Sequence, residues 1–65
     1  MNISEIKIGE KYRYIGFYRG EDRDEEITVT GIDRKKGCTG FVSMSNNIST
    51  FVEKNGEVNC LRKID

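Results

Sequence analysis

The chain has no histidine, tryptophan, proline, alanine or glutamine, and a single leucine, Leu61. Without histidine it lacks the usual general base and the commonest metal ligand. Two cysteines, Cys38 and Cys60, are two ligands short of a structural zinc site, and no imidazole makes up the difference. There is no long apolar run. The longest aromatic-apolar stretch, Tyr14-Ile15-Gly16-Phe17-Tyr18, is far too short to span a bilayer. The opening Met1-Asn2-Ile3-Ser4-Glu5 has no basic segment followed by an apolar one, so no secretory signal is expected and the reading is cytoplasmic, with no membrane partner. Both cysteines are then expected as free thiols, although their even number also permits a Cys38–Cys60 pair. Net charge is absent too: 11 basic residues balance 11 acidic ones, which disfavours a generic polyanion binder.

What is present points to β-structure. Ile, Val and Thr fill about a quarter of the 65 residues, and branched side chains fit a pleated surface better than a helix. Sixty-five residues make one domain, residues 1–65. A single turn at Ile3–Glu5 leads to a first strand, Lys11 to about Arg19, with a bulge expected near Gly16. Gly20-Glu21-Asp22-Arg23-Asp24 reads as a loop. A second strand, about Glu25 to Asp33, carries a second expected bulge at Gly31. Arg34-Lys35-Lys36-Gly37 reads as a turn and Cys38–Ser45 as the third strand. Asn46-Asn47 is a turn signal, because asparagine tolerates positive φ. Ile48–Lys54 is the fourth strand, Asn55-Gly56 a type I′ turn and Glu57–Cys60 the fifth strand. Leu61 and Ile64 fit a closing turn or short strand. The fold class expected is all-β, a five-stranded antiparallel meander that curls into a small barrel to bury its edges.

This order of elements resembles the SH3-like small β-barrel superfamily. The segment Ile6-Lys7-Ile8-Gly9-Glu10-Lys11-Tyr12 is similar to the opening of such barrels, residues 20–25 stand where they carry a long first loop, and Val58, Leu61 and Ile64 match their terminal turn and last strand. The tryptophan and proline of peptide-binding SH3 domains have no counterpart, so PxxP binding is not implied. Gly37-Cys38-Thr39-Gly40-Phe41-Val42 resembles the end of the KOW motif of ribosomal and elongation barrels, which implies an RNA- or DNA-binding alternative.

No chemistry-bearing constellation emerges. Cys38 follows Lys35-Lys36, yet it shares a strand face with Val42 and Met44 and reads as a buried structural thiol. The carboxylates of residues 21–26 lack the spaced positions and central glycine of a calcium loop. The expectation is no enzyme, no metal and no cofactor.

Charge and aromatics are more informative. Residues 1–20 carry a net +2, residues 21–26 a net −4 and residues 27–40 a net +2, so zero is a cancellation of segments. Tyr12, Tyr14, Phe17 and Tyr18 crowd four of the six aromatics into one strand, interleaved with Arg13 and Arg19. Such rings beside arginine are typical of interfaces. Phe41 and Phe51, opposite in face to Val42 and Val52, are the next candidates for an exposed apolar patch. The function expected is a non-catalytic module that binds another protein through Tyr12, Arg13, Tyr14, Tyr18 and Arg19, with Asp22, Asp24, Glu25 and Glu26 as a charged rim. The residue usage suits AT-rich coding, which suggests a phage- or plasmid-borne modulator or inhibitor of a host protein. The alternatives are a KOW-like barrel that uses Arg34, Lys35 and Lys36 on phosphates, and an oligomer that sequesters a nucleotide between subunits.

Overall fold

The computed structural model describes residues 1–33 and 40–64. They form an all-β fold with one five-stranded antiparallel sheet. A 3₁₀ turn, Ile3–Glu5, precedes β1 (Lys11–Tyr18), β2 (Glu21–Asp33), β3 (Phe41–Met44), β4 (Ser49–Phe51) and β5 (Leu61–Arg62). The expected turn 34–37, the KOW-like residues Gly37–Thr39 and the start of the third strand at Cys38 lie outside the described residues.

The first four strands are successive neighbours, but β5 pairs with β1, giving the order β4-β3-β2-β1-β5. The β5–β1 pairing is the one that the curling of a five-stranded meander requires. No ladder joins β4 to β1 or β5 among the described residues, so the sheet is open and the expected closed barrel is not formed by backbone pairing. Side chains reach across the seam: Thr50 Oγ1 lies 3.9 Å from Cys60 Sγ, and Tyr18 Oη donates to Asn47 O at 3.3 Å.

The largest departure from expectation is the start of β2. Residues 20–24 are not a loop. Arg19 and Gly20 both take positive φ, 51° and 83°, the backbone pattern of a two-residue hairpin turn whose twist matches that of its strands. The chain therefore reverses at once, and Glu21 faces Tyr18. From there the register runs without a break to Lys11↔Thr28, so the bulge expected at Gly16 is absent. Gly16 is small for another reason: a Cβ there would meet Cys60 Sγ at 3.3 Å and Tyr14 Oη at 3.5 Å. The bulge expected near Gly31 is present, as a register shift between Val29 and Gly31. It lets one long strand pair with β1 through its first part and with β3 through its last.

The fifth strand also moves. Glu57–Cys60 does not form it. Glu57 instead bridges Asn2, Ile3 N donates to Gly56 O at 2.7 Å, and Val58 N donates to Met1 O at 2.8 Å. Asn2 caps the 3₁₀ turn by accepting from Ser4 N, while Glu5 accepts from Asn2 N. The chain from Lys54 to Gly56 turns with only Gly56 at positive φ (85°), which fits a three-residue loop closed by a left-handed glycine rather than the expected type I′ turn. Asn46 and Asn47 do take positive φ, 63° and 59°, as asparagine's tolerance predicts.

The core gathers Ile3, Ile6, Tyr12, Tyr14, Ile27, Val29, Val42, Met44, Ile48, Val52, Val58 and Leu61. Leu61, the single leucine, is fully buried, as are Val29, Val42 and Val58.

Two glycines with almost equal φ separate backbone strain from crowding. A Cβ added at Gly20 would meet nothing within 4 Å, whereas one at Gly56 would meet Asn2 Nδ2 at 3.2 Å. Gly20→Ala should cost about 1 kcal/mol, the left-handed penalty alone, and Gly56→Ala should cost about 2 kcal/mol. Urea unfolding of both variants checks this, and equal losses would remove the steric part.

Candidate functional site

The candidate site is the β1–β2 hairpin, whose two faces differ in kind. In β1 the even residues point inward and the odd residues outward, with burial alternating from Lys11 to Tyr14. Tyr12 and Tyr14 are thereby core residues, 7% and 2% exposed. This corrects the expectation that their rings meet a partner. The physical reason is that both side chains are accommodated inside. Tyr12 Oη accepts from Lys7 N at 3.0 Å and donates to Glu5 O at 3.4 Å. Tyr14 sits edge-on to Tyr18, ring centroids 6.4 Å apart and planes at 84°.

The outward row reads Lys11, Arg13, Ile15, Phe17, faced on β2 by Thr28, Glu26, Asp24 and Asp22. Ile15 is 44% exposed and Phe17 69%. They stand two residues apart on one face, an apolar pair set among charges. The sequence reading missed Ile15 as a binding residue and counted Phe17 only among the strand's aromatics. The signal that separates them is strand parity: they alternate with the buried tyrosines. A shallow hollow of ≈ 300 Å³ lies at their feet, lined also by Gly16, Asp22, Arg23 and Asp24.

The carboxylates are far from a free acidic loop. Arg13 Nε meets Asp24 at 2.6 Å and Lys11 meets Glu26 at 3.7 Å. On the inward face Arg23 contacts Glu21 at 3.6 Å and Glu25 at 3.4 Å, and Asn46 Nδ2 donates to Glu25 at 2.8 Å. Among the described residues Asp22 alone of the five acids has no cation within 4.0 Å. Lys11 and Arg13 of β1 thus offset half of the net −4 of residues 21–26, in which Arg23 is already counted. Glu25, expected on the outer rim, points inward instead. Exposed pairs of this kind contribute only about 0–1 kcal/mol each, so they hold register more than they hold the fold.

Tyr18 is half-buried, with the guanidinium carbons of Arg19 and Arg23 at 5.5 and 5.8 Å from its ring centre. Ser49 and then Arg19 favour its phenolate and hold its pKa below the ordinary value. Arg34, Lys35 and Lys36, the expected phosphate contacts, lie outside the described residues. Phe51 is 66% exposed with its ring 4.8 Å from that of Phe41, while Val42 and Val52 are buried, so the expected second apolar patch is present on β3–β4. Among the described residues no three His, Cys, Asp or Glu side chains gather as metal ligands. No helix among them is long and apolar enough to cross a membrane.

Compared with family models, curated proteins and solved structures, the chain has no match.

The buried tyrosine makes the hairpin's anchorage sensitive to alkali. Burial first, then Cys60, pushes the Tyr14 phenol from 10.0 up to about 12. The folded state keeps a proton that the unfolded state releases first. The contribution of Tyr14 is therefore fully present below about pH 10 and is lost as pH rises through about 12, a fall of about 3 kcal/mol. Tyr14→Phe should flatten that fall and remove the last step of the ultraviolet tyrosinate titration. An unchanged alkaline profile would sink the assignment.

Proposed function

We propose that this chain is a non-catalytic module that binds another protein through the outward face of its β1–β2 hairpin. The observation that carries the reading is the pair Ile15 and Phe17, exposed side by side on a rigid strand in a row otherwise made of charges. Burying an isoleucine or phenylalanine is worth about 1.5–3 kcal/mol, against about 0–1 kcal/mol for an exposed ion pair. The apolar pair therefore supplies affinity, and the acids set the sign of the partner and its rate of arrival. Asp22, left without a cation among the described residues, calls for a partner surface with a basic group beside an apolar contact. Arg13 and Asp24, already paired, form a neutral rim that asks for no counter-charge.

A phage- or plasmid-borne modulator of a host protein in the cytoplasm is the setting that the residue usage supports. Kinship with SH3-like small barrels belongs to the same proposal. What supports it is the strand order, with β5 beside β1, and the side-chain bridges across the open seam.

Phe17→Ser alters a side chain that is mostly exposed, and Ile15→Ser one that is partly so; the unfolding free energy should fall by no more than about 1 and about 2 kcal/mol, which leaves both variants folded at the assay temperature. Each should weaken partner capture by about tenfold or more, as loss of an interface anchor does. Asp22→Lys should slow association and reverse the sign of its salt dependence. The assay is capture from a lysate of the source organism, with and without nuclease, followed by binding of the identified protein. Unchanged affinity in the Ile15→Ser/Phe17→Ser double variant would overturn the reading, and a signal lost to nuclease would favour nucleic acid instead.

A further inference from the structure

The hairpin has an open edge as well as an exposed face. Along an antiparallel strand, successive residues turn their N–H and C=O alternately to the two neighbours. In β1, Ile15 N donates to Cys60 O at 2.8 Å, so the odd residues face β5 and the even residues face β2. But β5 is two residues long and pairs only with Arg13 and Tyr14. Past Ile15 that neighbour turns away, while β1 continues to Tyr18. By the alternation, the N–H and C=O of Phe17 point out of the sheet edge, and among the described residues no backbone group meets them.

Exposed edges of this kind are usually blunted by proline, by lysine, by an inward charge or by a bulge. Ile15–Tyr18 has none of these, and its register with β2 is unbroken. The stretch instead presents its most exposed apolar side chain, Phe17, at the residue whose backbone is free. Backbone hydrogen bonds with side chains recognised at alternate positions are the two components of recognition by strand addition.

The charge on β2 selects what can be added. Neighbouring strands lie about 4.8 Å apart, so a residue opposite Phe17 on an added strand is about 10 Å of backbone from Asp22. An arginine there can lay its stem and guanidinium across the Phe17 ring and reach the Asp22 carboxylate beyond it. A shorter or acidic side chain leaves Asp22 without a partner or repels it. We infer that the partner of the proposed module docks by adding an extended, arginine-bearing segment to the edge of β1 at Phe17, with its arginine on Asp22. This rests on the protein-binding reading above and specifies how that surface is used.

The test uses the full chain and capped synthetic peptides of alternating valine and arginine, the same peptide with valine and glutamate, and a form of the first methylated on alternate backbone nitrogens. The valine–arginine peptide should bind and slow hydrogen exchange of the Phe17 amide about tenfold or more. The glutamate peptide and the N-methylated peptide should not bind measurably at the same concentration, and Asp22→Asn should weaken the first peptide several-fold. Binding that leaves Phe17 exchange unchanged would overturn strand addition, while the outward face could still capture its partner through side chains. A Phe17 amide already protected in the free chain, in proportion to its concentration, would show that a second copy fills the edge and would overturn the peptide occupant. No binding of the arginine peptide would overturn this inference alone. Failure of the protein-binding reading is seen separately, in unchanged capture by the Ile15→Ser/Phe17→Ser variant.

Discussion

The two-residue turn at Arg19 and Gly20 decides which side of the first hairpin is core. Because the chain reverses immediately after Tyr18, Glu21 stands opposite Tyr18 and every later pair follows in step to Lys11 and Thr28. A strand has period two, so this one register sends Tyr12 and Tyr14 inward beside Ile27 and sends Arg13, Ile15 and Phe17 outward beside Glu26, Asp24 and Asp22. A slip of one residue would bury Arg13 and Ile15 and strand the tyrosine hydroxyls in solvent. Arginine is an unusual choice at a left-handed position; its contact with the Tyr18 ring offsets part of that strain.

The same register explains how a strand so rich in acid can exist. Asp and Glu are poor strand residues, yet here four of the five acids are set beside a cation, one of them beside an amide as well: Asp24 to Arg13, Glu26 to Lys11, Glu21 and Glu25 to Arg23, Glu25 to Asn46. Cross-strand pairing supplies what intrinsic propensity lacks. Part of the cancellation of charge visible along the sequence is therefore realised locally, strand against strand: Glu21 and Glu25 share the one charge of Arg23, and Asp22 has no cation among the described residues.

Much of the architecture was legible because it rests on local chemistry. The period-two runs of Ile, Val and Thr, the Asn46-Asn47 turn, the irregularity at Gly31 and the capped turn at Ile3–Glu5 follow from side-chain preferences within a few residues. What was not legible depends on partners distant in sequence. Glu21–Asp24 reads as loop until the opposite strand supplies Arg13 and the backbone of Gly16. Glu57–Val58 reads as strand until the chain start takes its hydrogen bonds. At the candidate site the sequence places aromatics and charges in one strand but leaves its two faces equivalent, since Tyr, Phe and Ile suit either. The hydrogen-bond partners that take in the Tyr12 hydroxyl, Glu5 O as acceptor and Lys7 N–H as donor, settle that face, and they come from the segment before the strand.

The division of labour within β1 has an energetic consequence for binding. A domain of this size buries only about 60% of the surface its unfolded chain exposes, so its stability margin is thin. The tyrosines that the sequence offered as contacts are already committed to that core, and a partner that drew them out would unfold the module. Ile15 and Phe17 stand outside the core, 44% and 69% exposed, so in the proposed reading their remaining area is what a partner buries. The free backbone beside Phe17 has the same standing, because β1 is held by β2 along its whole length and does not need a longer β5. The edge proposed for binding is thus backed on its other side by the long, acid-rich first half of β2, which pairs with every residue of β1.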